Sequence, residues 1–150
     1  MSRIKIDLPA GFRFFATIPL RITDMNYGNH VGNDAVLSLL HEARMQFLQH
    51  HGFTELDCGG TGLIMLDAGI EFKKELFYGD QIKVGVAAAN LSGRGFDLYY
   101  RVDKIDNGVT DTAVKAKTGM LCFDYSRKKL VPVPDSVQVT LFPDPACRPY

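Results

Sequence analysis

Apolar and polar positions alternate in the first part of the chain, from Phe12 to Ile22. Every second position is apolar, and the positions between them include Arg13, Thr17 and Arg21. A period of two residues predicts a half-buried strand. Because Pro19 cannot donate a ladder hydrogen bond, we expect this strand at a sheet edge or at a bulge.

The period becomes helical between about Asn33 and His50. Apolar residues recur there at spacings of four and three, namely Val36, Leu40, Ala43 and Phe47. This pattern predicts one long helix with a wide buried stripe. We expect Asn33 to be its N-cap and Gly52 to lie where it stops.

Four strand-like segments follow a loop at Gly59 and Gly60. They run from about Leu63 to Lys74, Gln81 to Leu91, Phe96 to Ile105 and Val114 to Tyr125. Glycine, asparagine and aspartate lie between the segments, as tight turns require. Successive strands are therefore expected to pair as an antiparallel meander.

One strand, one long helix and four antiparallel strands exclude a doubly wound sheet, which would need crossover helices. The pattern favours an α+β fold in which a curved sheet wraps around the helix. Such a sheet leaves open edges, so we expect a homodimer that joins them. The proline-containing end of the chain predicts an extended tail from about residue 140.

The composition adds limits to this picture. A chain of 150 residues with 46% hydrophobic content is long enough for a single domain, here 1–150. Seventeen basic residues balance seventeen acidic ones, so we expect no nucleic-acid partner. No apolar run approaches the roughly 20 residues that cross a bilayer, and the N-terminus lacks a signal peptide's apolar core. We therefore expect a cytoplasmic protein with no membrane partner.

The cysteines do not predict a disulfide framework or a zinc site. Cys58, Cys122 and Cys147 are odd in number, widely spaced and without a Cys-x-x-Cys pair. We expect reduced thiols with a structural role.

The segment from Asp24 to Asp34 is the strongest candidate for chemistry. Polar side chains and two glycines, Gly28 and Gly32, lie directly before the predicted helix. The free amides of a helix start are suited to developing negative charge. The segment therefore predicts an active-site loop.

Asp24, His30, Val31 and Asn33 are followed on the predicted helix by the run 42–44, Glu-Ala-Arg. In order and spacing these residues resemble the D-x-D-x-x-G-H-V-N-N and E-A-R signature of hotdog-fold acyl-CoA thioesterases of the 4-hydroxybenzoyl-CoA thioesterase type. The segments 72–80 and 91–96 are also similar to that family. The resemblance covers about residues 12 to 137.

The resemblance implies a hotdog fold, with a long central helix wrapped by a five- or six-stranded antiparallel sheet. It implies a homodimer or homotetramer with active sites at the interface. The implied reaction is hydrolysis of an acyl-CoA to a carboxylic acid and free CoA. It needs no metal and no cofactor, because CoA is part of the substrate.

Asn26 departs from the family pattern, since many relatives carry a catalytic aspartate at this position. An amide cannot take a proton at neutral pH, so another group must activate water. Asn26 could position water or the thioester carbonyl, or only shape the loop. His30 could orient the substrate or stabilise the loop.

Three carboxylates, those of Asp34, Asp24 and Glu42, could replace the missing one. Helical spacing places Asp34 on one flank with Ser38 and His41. Asp34 is a candidate general base, with a first-turn dipole partner as the alternative. Asp24 is a second candidate, but holding the loop through backbone amides explains it better.

Further residues are assigned to substrate binding and transition-state stabilisation. The backbone amides of Val31, Gly32 and Asn33 are the candidate oxyanion donors. Tyr27 is a candidate substrate contact, and Arg94 is the best candidate for the CoA phosphates. The lysines at 73–74 and the basic run 127–129 are weaker candidates, since such residues are usually solvated.

On a helical wheel Arg44 lies inside the apolar arc, so it should need a buried carboxylate partner. Glu42 lies away from the centre of that arc, and a structural ion pair is the expected role of both residues.

Two other functions remain open from the sequence. Asn26 at the carboxylate position is compatible with a non-hydrolytic acyl-thioester binding protein. A hotdog dehydratase or hydratase is disfavoured, because its paired aspartate and histidine are not evident.

Overall fold

Strands and helices follow one another in nearly the predicted order. The computed structural model describes residues 1–144 and 146. The elements are β1 (Phe14–Pro19), a 3-10 turn (Ile22–Asp24), α1 (Asn33–His50), β2 (Gly62–Phe72), β3 (Gln81–Ala89), β4 (Gly95–Asp106), β5 (Val109–Asp124), β6 (Lys129–Leu130) and α2 (Asp135–Leu141).

Helix α1 has the predicted bounds but a different N-cap. Gly32 is the N-cap, with φ −69° and ψ 152°, and Asn33 is already the first helical residue. The carbonyl of Gly32 accepts the first helical hydrogen bond from Val36 N–H, at 3.1 Å. The prediction of Asn33 as N-cap is therefore wrong by one residue. Gly52 follows the helix with φ 82°, as expected of its stop.

The sheet is antiparallel and has the order β1-β3-β4-β5-β2, with β6 paired to β5. The meander is confirmed for β3, β4 and β5 but is wrong for β2. Strand β2 pairs with β5, from Gly62 opposite Phe123 to Phe72 opposite Val114. The 16-residue β5 pairs with β4 on one side and with β2 on the other. Because β2 and β3 therefore lie on opposite sides of β5, the segment 73–80 between them crosses from one side of the sheet to the other.

The core lies between α1 and the concave face of the sheet. Alternate residues of β4 are buried beneath the helix, namely Phe96, Leu98, Tyr100 and Val102. The apolar stripe of α1 covers them, as the period of its sequence predicted. The expected α+β architecture, a long helix wrapped by a six-stranded sheet, is therefore confirmed.

The N-terminal segment crosses the outer face of the sheet from β2 to β1. Ile6 Cδ1 lies 3.3 Å from the position that a Cβ on Gly69 would take. The Phe12 ring lies 3.0 Å from the corresponding position on Gly85, and the Arg101 guanidinium lies 5.1 Å from the Phe12 ring centre. The segment then enters β1, which is an edge strand, as predicted, but ends at Pro19 rather than at Ile22.

Helix α2 was not predicted from the sequence. It ends at Leu141, so the first residues assigned to a tail from about 140 are helical. Leu141 and Phe142 are buried, and the rings of Phe142 and Phe96 are 5.8 Å apart. The remaining tail residues Pro145, Cys147 and Pro149 lie outside the described residues.

Cys58 and Cys122 are free and buried, as expected of structural thiols. Burial raises the pKa of Cys58 to about 12. Among the helices that the structure describes, none has the length and apolar character needed to cross a membrane.

Candidate active site

The candidate loop is a closed hairpin that precedes α1. Met25 and Val31 form an isolated antiparallel bridge. The N–H of Asn26 donates to the carbonyl of His30 at 2.8 Å, and the N–H of Asn29 donates to the carbonyl of Asn26 at 3.1 Å. Asn29 has φ 63°, a left-handed conformation that asparagine tolerates. These contacts fix where the side chains of Asn26 and His30 lie.

Two tertiary hydrogen bonds fasten the loop to the fold. The N–H of Val31 donates to the carbonyl of Leu76 at 2.8 Å, and the N–H of Gly32 donates to that of Asp24 at 3.0 Å. Both amides are thus occupied, and the prediction of Val31 and Gly32 as oxyanion donors is wrong.

Other amides at the start of α1 are available instead. The N–H groups of Asn33, Asp34 and Ala35 have no acceptor within residues 1–144 and 146, and no side chain caps the helix. Asn33 therefore stays a candidate donor, joined by the amides of Asp34 and Ala35. The positive end of the helix dipole acts at the same place.

Asp24 is buried at the base of the loop. Its Oδ2 accepts the N–H of Arg21 at 2.8 Å, and its Oδ1 lies 3.7 Å from the Arg21 guanidinium. Its backbone carbonyl holds Gly32. These contacts agree with the loop-holding role expected for Asp24.

Asn26 presents a hydrogen-bond donor. Its Oδ1 accepts the N–H of Gly28 at 2.8 Å. The side-chain nitrogen Nδ2 therefore points elsewhere, and it has no acceptor in the described part of the chain. Asn26 can donate to a substrate oxygen or to water.

His30 faces Asn26 across Gly28. Its Nδ1 lies 3.2 Å from the carbonyl of Val31, which can only accept, so Nδ1 carries the proton. Its Nε2 lies 3.8 Å from Glu75 Oε1. A Cβ on Gly28 would lie 3.2 Å from both His30 Nε2 and Asn26 Oδ1. The missing side chain of Gly28 keeps this space open.

Asp34 lies in the first turn of α1 and is exposed. Its Oδ1 is 2.6 Å from the position that a Cβ on Gly32 would take, and Asn26 Cβ is 3.6 Å from the same position. The structure therefore brings Asp34 and Asn26 together over Gly32. His41, on the same flank, is engaged elsewhere, with its Nε2 3.1 Å from Glu55.

Two grooves lie along α1, one beside its start and one along its later turns. One, the lysine groove, has a volume of about 250 Å³. It is lined by His30, Val31, Asn33, Val36, Val114 and the segment 72–76. The other, the helix-flank groove, has a volume of about 400 Å³ and is lined by residues that include Asp24, Ser38 and Met45. A substrate could extend from the helix start in either direction.

The predicted CoA contacts are not all near this site. Lys73 and Lys74 line the lysine groove, where they also pair with Glu71 and Asp111. Arg94 lies in the turn beyond the far end of β3, a strand whose 9 residues span about 30 Å at 3.3 Å per residue. The structure does not bring Arg94 to the loop of its own chain. Tyr27 is fully exposed.

The buried ion pair on α1 has a different partner from the one suggested by the motif. Arg44 Nε donates to Glu55 Oε1 at 2.6 Å, and its Nη1 donates to the Tyr100 hydroxyl at 3.3 Å. Arg44 thus has the buried carboxylate partner that was expected. Glu42 instead accepts a hydrogen bond from Gln46 at 2.9 Å and has no basic partner within 4.0 Å among residues 1–144 and 146, so the prediction of a structural ion pair for Glu42 is wrong.

Sequence reasoning missed Glu75 and Ala35. Glu75 reaches His30 because Leu76, its neighbour, holds Val31, and no local pattern signals that contact. The open amide of Ala35 could have been found from the rule that the first turn of a helix lacks acceptors.

Comparisons with known proteins agree on one family. A family model described as the thioesterase-like superfamily matches residues 20–141. The 1,4-dihydroxy-2-naphthoyl-CoA hydrolase of Microcystis aeruginosa is 30% identical over 106 residues, which are 69% of this chain and 74% of that protein.

Solved structures show the same fold. The 1,4-dihydroxy-2-naphthoyl-CoA thioesterase from Synechocystis superposes with a TM-score of 0.77 at 20% identity, covering 88% of this chain and 98% of that one. A thioesterase from Thermus thermophilus, complexed with coenzyme A and Zn, gives a TM-score of 0.73 at 19% identity, and the match covers 88% of this chain and 99% of that one. The hotdog-type architecture is thus shared. In the described residues no group of three or more potential ligand side chains is placed to hold a metal.

Proposed function

The chain belongs to the thioesterase-like superfamily and is a thioester hydrolase, and we propose that its substrate is an acyl-CoA, hydrolysed to a carboxylic acid and free CoA. The name of the Microcystis aeruginosa relative, a CoA hydrolase, supports this substrate class. The lysine groove beside the loop supplies cations suited to the phosphates of CoA.

The observation that carries the proposal is the set of open amides at the start of α1, directly after the loop in which Asn26 Nδ2 is also without an acceptor among the described residues. Attack on a thioester places negative charge on the carbonyl oxygen. Donors that are already aimed at that charge stabilise the transition state, each by about 3 kcal/mol. The amides of Asn33, Asp34 and Ala35 and the side chain of Asn26 would provide such donors.

Asp34 would activate the water. Its carboxylate lies beside Asn26, which cannot accept a proton itself. In the proposed reaction Asp34 takes a proton from water while the oxygen attacks the carbonyl carbon. The C–S bond then breaks, and the sulfur of CoA leaves with the proton that Asp34 accepted. His30, with its Nε2 across Gly28, would orient the substrate.

We also propose a homodimer or homotetramer with its sites at an interface. Tyr27 is fully exposed, and Arg94 lies far from the loop of its own chain. Arg94 would contact a substrate at the loop only if a second copy supplied it, and the exposed Tyr27 is placed to face such a copy. The proposed reaction uses no metal and no cofactor besides the CoA of the substrate.

The test is release of free thiol from short, long and aromatic acyl-CoA esters by wild type and by Asp34→Asn. We expect kcat of the variant to fall about 100-fold, because an amide cannot accept the proton of water. Asp135→Asn is the matched control, since Asp135 also lies in the first turn of a helix. Wild-type turnover by a folded Asp34→Asn protein would contradict the role of Asp34.

The alternative is a non-hydrolytic acyl-thioester binding protein, which Asn26 at the carboxylate position favours. Calorimetric binding of acyl-CoA without thiol release from any ester of the panel would establish that alternative.

A further inference from the structure

A basic cleft lies where the N-terminal segment meets the end of β2. This N-terminal cleft has a volume of about 310 Å³ and is lined by Arg3, Ile4, Lys5, Glu71, Phe72 and Lys73. Three of these side chains are cations and one is a carboxylate. No part of the reaction proposed above uses Arg3 or Lys5.

The N-terminal segment is anchored beside the cleft. The N–H of Ile6 donates to Glu71 Oε2 at 3.1 Å, and the Ile6 side chain lies against Gly69. The other oxygen of Glu71 lies 3.4 Å from Lys73 Nζ. The hydrogen bond from Ile6, followed by Lys73, holds the pKa of Glu71 below its ordinary value. Glu71 thus acts as an anchor, and its charge is already engaged.

Arg3 and Lys5, in contrast, form no ion pair within the described residues. Both are exposed, and neither has an acidic partner within 4.0 Å among the residues that the structure describes. An anion that entered the cleft would therefore meet cations without displacing an existing ion pair of either residue. A guanidinium binds phosphate oxygens in a bidentate manner, and an ammonium binds them as a point charge.

The cleft adjoins the lysine groove. Phe72 and Lys73 line both cavities, and the lysine groove reaches His30 and Asn33 at the start of α1. A ligand with its reacting group at the helix start and phosphates at its other end could span the two cavities. The ring of Phe72 is 45% exposed and could stack on a nucleotide base.

We propose that the N-terminal cleft binds the phosphate groups at the nucleotide end of the acyl-CoA substrate, through Arg3, Lys5 and Lys73. This inference rests on the proposed function and assigns the CoA end of its substrate. The acyl thioester lies at the helix start, and the phosphates lie under the N-terminal segment.

The test compares wild type with the double variant Arg3→Ala/Lys5→Ala on an acyl-CoA and on the N-acetylcysteamine thioester of the same acyl group, which has no phosphate. For the acyl-CoA we expect KM to rise about tenfold, since charge-assisted hydrogen bonds are lost. We expect kcat for both substrates, and KM for the truncated substrate, to stay within about twofold. Arg13→Ala/Lys83→Ala removes the same charge from exposed positions outside the cleft and should leave KM unchanged.

An unchanged KM for acyl-CoA in the double variant, or an equal rise for the truncated substrate, would overturn the assignment while leaving the thioesterase intact. Calorimetry with adenosine 3′,5′-bisphosphate tests the cleft without turnover, so it still decides if wild type hydrolyses neither thioester. We expect the double variant to weaken this binding about tenfold. Equal weakening by the control pair, or equally tight binding of inorganic phosphate, would overturn the proposal of a nucleotide site.

Discussion

Gly28 controls the distance between the two polar groups of the loop. A Cβ at this position would lie 3.2 Å from Asn26 Oδ1 and from His30 Nε2, closer than ordinary contact. In Gly28→Ala both side chains would have to shift by a few tenths of an ångström. We expect kcat to fall about tenfold, because small displacements of positioned groups lower turnover.

Steady-state kinetics and thermal unfolding check this prediction together. The midpoint of unfolding should hardly change, since Gly28 is exposed and does not have a positive φ. Gly93→Ala is the control, because a Cβ at this exposed turn glycine meets no atom within 4 Å. Full activity in Gly28→Ala would show that the gap has no catalytic importance.

Asn26→Asp separates the amide role from a carboxylate role. The new carboxylate would keep the acceptor for Gly28 N–H but lose the donor Nδ2 and add a second negative charge beside Asp34. We expect kcat at neutral pH to fall about 100-fold with the loss of one transition-state donor.

The same kinetics also distinguish the opposite role for position 26. A large increase in turnover would mean that a carboxylate at position 26 acts as the nucleophile or base, as it does in the family that the loop resembles. Asn107→Asp, in the exposed turn between β4 and β5, serves as the control for adding a charge.

At the residue scale, local spacing found the loop but not its hydrogen bonds. Asn26, His30 and Asp34 come together because they lie close in sequence around two glycines. The amides of Val31 and Gly32 could not be assigned correctly from the sequence. The acceptor of Val31 is the carbonyl of Leu76, which is far along the chain, and the acceptor of Gly32 is the carbonyl of Asp24, which it meets only when the loop closes.

Helix α1 is fixed to the loop before β2 by the Arg44–Glu55 pair. Arg44 is buried with its side chain 7% exposed, so Glu55→Ala would leave a buried cation whose remaining partner, within the described part of the chain, is the Tyr100 hydroxyl. We expect the free energy of unfolding to fall by about 3 kcal/mol, measured by urea denaturation. Glu42→Ala, which removes only an exposed contact with Gln46, should cost far less. Equal effects of the two variants would contradict a structural role of the pair.

Glu55 should also make the stability depend on pH. Burial acts to raise the pKa of Glu55, but the hydrogen bond and charge of Arg44, followed by those of His41, hold it below its ordinary value of 4.5. A carboxyl with a lowered folded pKa stabilises the fold above its unfolded pKa, and this stability is lost as the pH falls through the folded value. Between about pH 6 and pH 3, Glu55→Gln should therefore lose less stability than wild type. Parallel losses would show that Glu55 does not contribute.

At the element scale, periodicity predicted the bounds of individual helices and strands but not the pairing of strands that are distant in sequence. The bounds of α1 follow from its own apolar stripe, and those of β3 from the turns around it. The pairing of β2 with β5 depends on which strand edge is free after the meander has formed, and no pattern within β2 records that. Helix α2 is short, so its seven residues carry too few periods to be recognised.

For the whole molecule, the two edges of the sheet are the surfaces at which a second copy of the chain could add its own sheet. The outer face is partly covered by the N-terminal segment, through Ile6 and Phe12. Edge strand β1 has 6 residues and ends in proline, which discourages further pairing. Edge strand β2 has 11 residues and exposes Met65 and Leu66. A long apolar edge of this kind is suited to pairing with a second copy.

Leu66→Lys tests whether β2 joins two copies. Leu66 is 66% exposed at an irregularity of β2, so a lysine there costs the isolated chain little but would place like charges together across a two-fold axis. We expect sedimentation equilibrium to show an oligomer for wild type and a shift toward the monomer for the variant. Leu56→Lys is the control, because Leu56 is 80% exposed in the loop before β2 and should leave the oligomer intact.

Activity links this interface to the active site. If Tyr27 and Arg94 complete the site of a second copy, kcat/KM of Leu66→Lys should rise with protein concentration as the oligomer re-forms, whereas that of Leu56→Lys should be constant. A Leu66→Lys protein that stays oligomeric would place the interface elsewhere on the surface. A monomeric variant with full activity would show that one chain holds a complete site, and Arg94 would then have no part in binding substrate.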